Sequence, residues 1–247
     1  MNLFRIRGIQ LAIHASFLPL LAYVAYEGWS AAAGHDLPAH WPELGWALAY
    51  VALLFTCVTL HELGHCLTAQ YFGVNVPRIL LLPIGGVAEF DSIPQRPREE
   101  MLVAIAGPAV NGLLAAVFMT FAYSTSNWDP TDFPDHGVKL LQHLVFMNIA
   151  MGAFNLLPIF PMDGGRILRA FFVMRMPYGT ATRRAVIIGK VLAVAGAFMM
   201  IFYAKNYLGG ALFAFIFLAG EIEWRAVKKA EREAACWEDV PARLNTG

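Results

Sequence analysis

The sequence predicts an all-α polytopic membrane protein: six transmembrane helices, with a short membrane-associated β-hairpin between helices 2 and 3. Composition, run length and charge placement carry that expectation. Of 247 residues, 58% are hydrophobic and only 15% charged, against roughly 45–50% and about 25% in soluble domains. Mean hydropathy is +0.54. Apolar runs of about 20 residues, each able to cross a ~30 Å hydrocarbon core, occupy most of the chain. Eighteen basic residues balance eighteen acidic ones, so no charge excess points to nucleic acid, and the partner the composition implies is the lipid bilayer.

The six runs lie at about 9–28, 44–72, 101–123, 138–160, 185–204 and 206–222. Arg5 and Arg7 precede the first, as in a signal peptide, but the run reaches Tyr26 without a small-residue cleavage site and is expected to be retained. Connectors 28–43 and 124–137 hold no Lys or Arg, whereas Arg78, Arg96, Arg98, the segment from Arg166 to Lys190 and the tail are basic. By the positive-inside rule both termini are cytoplasmic, and Lys190 is expected to snorkel inward. Residues 1–225 then form one six-span domain and 226–247 a cytoplasmic tail, helical at first and irregular after Pro241. Cys57, Cys66 and Cys236 show no CxxC spacing and read as small apolar residues.

Between spans two and three, the stretch from Arg78 to Asp91 is apolar but too short to cross. It reads as two strands around Gly85 and Gly86, packed beside the helices with an edge on offer. A plain interfacial loop is the alternative.

Chemistry concentrates at His61-Glu62-Leu63-Gly64-His65, at the end of span two. Residues four apart share a helix face, so both imidazoles can reach one metal while Glu62 stands near a water on it. Inside a membrane such a trio is costly unless paired, hydrated or ion-bound. A catalytic zinc takes three protein ligands and leaves one position open. The candidate for the third is Asp163, where Pro158 and Pro161 break the chain and two glycines allow a sharp turn. A turn aspartate that caps the next helix is the alternative, and Glu89, Asp91, Glu99 and Glu100 are rival carboxylates. Asn155, eight residues earlier, is expected to face the site and bond the substrate backbone or a developing oxyanion, with helix–helix bonding as the alternative. Gly107-Pro-Ala-Val-Asn111 reads as structural, its small residues letting helices approach and Asn111 bonding across the contact. His35, His40 and His136 read as solvated, and His14 and His143 as bonded to neighbours.

HELGH in span two, together with Asn155-Leu-Leu-Pro-Ile-Phe-Pro-Met-Asp163-Gly after span four, closely resembles the site-2 protease family of intramembrane zinc metalloproteases, whose signatures are HExxH and NxxPxxxxDG. The likeness extends through Ile79-Leu-Leu-Leu-Pro-Ile-Gly-Gly-Val-Ala-Glu-Phe90 and Ala106-Gly-Pro-Ala-Val-Asn111, covering roughly residues 5–170. It implies that His61, His65 and Asp163 hold one zinc per chain, that Glu62 is general base and proton shuttle, and that Asn155 supports the site. It further implies a hairpin, Ile84, Gly85, Gly86 and Val87, that receives an unwound substrate, which fits strand addition to an exposed edge. Family members cut a transmembrane helix of a membrane-bound regulator and release a cytoplasmic domain, often after an upstream site-1 type protease has trimmed it. The chain resembles a compact form, with no room for PDZ or CBS domains.

From Leu44 to His61 is 17 residues, about 25 Å at 1.5 Å each, which places the active site in the cytoplasmic half of the bilayer. Two other functions use the same residues: a metal-ion transporter and an inactive scaffold. The outer half is almost purely apolar apart from His143, which disfavours the transporter, and every residue the reaction requires is present, which disfavours the scaffold.

Overall fold

The computed structural model describes residues 2–30, 37–83, 85–91, 96–126 and 135–244. Two units emerge, Met1–Pro94 with Ala106–Ala153, and Gln95–Ile105 with Phe154–Gly247.

The first unit opens on a hairpin, β1 (Asn2–Ile6) and β2 (Ile9–Ile13). Arg7 and Gly8 turn it with φ of 47° and 88°, the paired left-handed residues of a tight two-residue loop. After α1 (Phe17–Ser30) and α2 (Leu37–Tyr71) the chain returns as β3 (Arg78–Leu82) and β4 (Gly85–Glu89). β2 pairs parallel with β3, Leu11 opposite Ile79, and β3 antiparallel with β4, Leu80 opposite Val87. The helical excursion is the long crossover that a parallel pair needs. The sheet order is β1-β2-β3-β4, with β4 on one edge. Ile9, Leu11, Ile79 and Leu81 are buried at alternate positions, one face of the pleat. Phe17 stacks edge-on against Phe55 at 4.5 Å, joining α1 to α2.

Two expectations are corrected here. The run 9–28 is not one span, because Ile9–Ile13 is a strand and α1 has 14 residues, about 21 Å of helix. The hairpin at 78–89 does not stand alone but is half of a four-stranded sheet. Apolar character is common to a sheet core and a lipid-facing helix, so hydropathy could not separate the two at residue 13. Ile84 lies outside the described residues, as do His35 and the side chains of His40 and His136.

α3 (Pro97–Ser126) begins in the second unit and ends in the first, and α4 (Asp135–Asn155) begins in the first and ends with Phe154 and Asn155 in the second. The rest of the second unit is α5 (Asp163–Val173), α6 (Tyr178–Phe198), a π-helical turn at Met199–Tyr203, and α7 (Tyr207–Leu244). Ile159, Ala193 and Ile216 form one core cluster, and Phe160, Ala185 and Val186 another. Lys190 pairs with Glu221 of α7 and lies 5.0 Å from the Phe217 ring. α7 stays helical past Pro241, to Leu244.

Among the described residues, four helices are long and apolar enough to cross a membrane: Trp41–Tyr71, Pro97–Ser124, Tyr178–Tyr203 and Tyr207–Glu233. They carry exposed Leu113, Phe121, Val191, Leu208 and Leu218. Such surface is stable against lipid rather than water. This is an integral membrane protein.

Candidate metal centre

α2 brings His61 and His65 to one face, as their spacing requires. Both are buried, their Nε2 atoms stand 3.1 Å apart, and their rings meet nearly at right angles, 4.7 Å between centroids. Two imidazole ligands on a tetrahedral zinc at 2.0–2.1 Å would hold their nitrogens about 3.3 Å apart. The pair fits a metal of that kind with little movement.

Gly107 explains how α3 passes so close. A Cβ there would overlap His65 Nε2 and lie 2.8 Å from His61 Cε1. Only hydrogen fits between the helix and the rings. One turn on, and thus on the same face, Asn111 is fully buried with its Oδ1 3.2 Å from His61 Nδ1. An amide oxygen accepts, so His61 Nδ1 carries the proton and Nε2 presents its lone pair toward His65. Asn111 does bond across the helix contact, but to a candidate ligand. Its spacing of four from Gly107 was the available signal.

Glu62, beside the pair, is partly exposed and lies under β4. A Cβ on Gly86 would overlap Glu62 Cγ and stand 3.2 Å from its Oε1. The strand's backbone therefore rests on the carboxylate side chain. Gly85 has φ of 142°, a region L side chains rarely adopt, and Val87 is exposed.

In the second unit, Asp163 is buried at the first position of α5. The cap position belongs to Met162, without a side-chain bond, which disfavours the capping alternative. Loop 156–160 folds back over that first turn: a Cβ on Gly164 would overlap the carbonyl oxygens of Leu156 and Leu157, and one on Gly165 would lie 2.8 Å from Phe160 N. Asn155 ends α4, half-buried. Each rival carboxylate is engaged elsewhere. Glu89 accepts from Arg78 at 2.5 Å, Asp91 from Asn75 at 2.6 Å, Glu99 from Arg96 at 3.4 Å and Glu100 from Arg169 at 2.5 Å. Glu89 also holds the exposed Arg78 guanidinium above its ordinary pKa through their hydrogen bond. His14 bonds Ser16, and His143 the carbonyl of Lys139, as expected of neighbours.

Residues 49–132 and 134–201 match the model of Peptidase family M50. A zinc metalloprotease of Methanocaldococcus jannaschii is 36% identical over 92% of this chain and 61% of its own length. Stage IV sporulation protein FB of Bacillus subtilis is 34% identical over 53% of this chain and 42% of its own. The chain thus spans less than two thirds of these relatives. Among solved structures, the site-2 protease from Methanocaldococcus jannaschii aligns with a TM-score of 0.60 and 35% identity, over 91% of this chain and 94% of that one. The chain belongs to peptidase family M50, the membrane zinc metalloproteases of site-2 type.

Proposed function

We propose that the protein is an intramembrane zinc endopeptidase. It hydrolyses a peptide bond within or near a transmembrane helix of a membrane-bound regulatory protein and releases a cytoplasmic fragment. The observation that carries this reading is the buried imidazole pair, Nε2 to Nε2 at 3.1 Å, with a partly exposed glutamate between them in sequence and a strand edge above it. His61, His65 and Asp163 hold the metal. Asp163 is supported by its burial, by the engagement of every rival carboxylate, and by its place in the family's second signature.

When bound, zinc polarises the scissile carbonyl and lowers the pKa of the attacking water toward about 7. Glu62 takes that water's proton and returns it to the leaving amide nitrogen, so no covalent acyl-enzyme is needed. β4 receives the substrate as an added strand through Gly85, Gly86 and Val87, which keeps its backbone hydrogen bonds satisfied while the scissile amide is exposed. Asn155 steadies the substrate backbone or the oxyanion. A helix shields its own amides, so substrates with helix-weakening residues near the cut are favoured, as is prior trimming by a site-1 type protease.

Both termini are cytoplasmic on the distribution of Lys and Arg. His61 lies ten residues from the Tyr71 end of its span, about 15 Å, on the side that the basic residues mark as cytoplasmic. The test is metal content of the detergent-purified protein and of Asp163→Ala, alongside fragments released from membranes by the parent and by Glu62→Gln. About one zinc per parent chain, less in Asp163→Ala, and fragments absent only in Glu62→Gln are expected. Full zinc in Asp163→Ala would remove it as a ligand, and equal fragments from both would remove the protease.

A further inference from the structure

Arg169 is among the most deeply buried side chains of the second unit, 1% exposed, in a stretch whose basic residues read as topological markers. It sits on α5, six residues after Asp163. Its Nε and Nη2 both donate to Glu100 Oε1 on α3, at 2.8 and 2.5 Å, and its Nη1 donates to Glu223 Oε1 on α7 at 2.6 Å. The guanidinium also lies 5.2 Å from the Phe160 ring and 5.1 Å from that of Tyr178. Burial works against its charge, but Glu100, Tyr178 and Glu223 outweigh it, so Arg169 stays protonated with its pKa above the ordinary value.

We infer that Arg169 is a positioning residue for Asp163. The inference rests on the reading of Asp163 as a metal ligand. Phe160 belongs to the loop that folds onto the first turn of α5, where Gly164 and Gly165 leave no room for a Cβ. Loop and turn are one block, and Asp163 is its exit. Arg169 clamps that block from both sides. Its ring contact holds Phe160 three residues before Asp163, and its two carboxylate partners tie α5 to α3 and α7. An 11-residue helix is marginal on its own and depends on tertiary contacts to hold its orientation. A rotation by one residue, about 100°, would turn Asp163 off its direction. The planar fork serves two carboxylates and two ring faces at once, which an ammonium does not.

The experiment measures zinc affinity of the full purified chain by competition with a chromophoric chelator, for the parent, Arg169→Lys, Glu223→Gln, Asp163→Ala and the double variant Arg169→Lys with Asp163→Ala. Loss of support to a ligand typically weakens metal binding 10–100-fold. Arg169→Lys is expected in that range. Glu223→Gln, which removes the partly exposed partner, is expected to weaken binding severalfold, and it carries the comparison if the lysine variant does not fold. The double variant should bind no more weakly than Asp163→Ala alone, because Arg169 acts through Asp163. Affinity within twofold of the parent in the folded single variants would overturn the inference. So would losses that multiply in the double variant, which would mark a general structural role. Parental affinity in Asp163→Ala would instead overturn the ligand reading itself, and the inference with it.

Discussion

His61 Nδ1 and Asn111 Oδ1 meet at 3.2 Å across fifty residues of sequence, both buried. That contact fixes which ring nitrogen holds the proton. It leaves the Nε2 lone pair of His61 aimed toward His65 before any ion arrives.

Asn111→Leu removes the acceptor and is expected to weaken zinc binding about 10–100-fold, whereas Asn111→Asp, which still accepts, should bind near the parental level. Chelator competition reads both. Equal affinity in the leucine variant would show that the tautomer is set elsewhere.

Gly107→Ala places a methyl group into His65 Nε2. Overpacking of this kind costs about 1–3 kcal/mol, and here it also spreads the ligands. Expected are a lower melting temperature and loss of bound zinc together. A variant as stable as the parent, with full zinc, would mean that α3 withdraws without consequence.

Gly86→Ala drives a methyl group against the Glu62 side chain, whose atoms are its nearest neighbours. Displacement of a reacting group by about 1 Å can cost on the order of 100-fold in rate. Cleavage should therefore fall by that order while zinc content stays at the parental value. A loss of zinc instead would place β4 in support of the metal rather than of Glu62.

Glu62→Gln keeps the shape of the side chain and removes the base. General acid–base groups contribute about 10²–10⁴-fold, so release of fragments from membranes should fall by at least 100-fold with zinc retained. Stripping the parent with a chelator should abolish cleavage equally, and added zinc should restore it. Restoration of the glutamine variant by zinc would exclude Glu62 as the proton carrier.

Periodicity and spacing made the His61–His65 face legible, because helix geometry alone brings residues four apart together. Hydropathy likewise announced the membrane. The amino-terminal sheet was hidden for the same reason the membrane was visible. Ile9–Ile13 is an apolar strand buried in a pleat and the following helix is apolar as well, so both score alike. The partners of Arg169 and Lys190 were hidden in another way. A basic residue at the end of an apolar run reads as a topological marker, and nothing local distinguishes one that also pairs with Glu100 and Glu223, or with Glu221.

By itself, then, the sequence determined the solvent, the paired imidazoles and the family resemblance, since each follows from local order along the chain. Tertiary structure decided the rest: the Asn111 contact with His61, the Gly86 backbone over Glu62, and the Arg169 clamp behind Asp163. Each joins segments 24 or more residues apart. Only the packing of whole helices and strands sets such distances, through van der Waals contact and the need of every buried polar group for a partner.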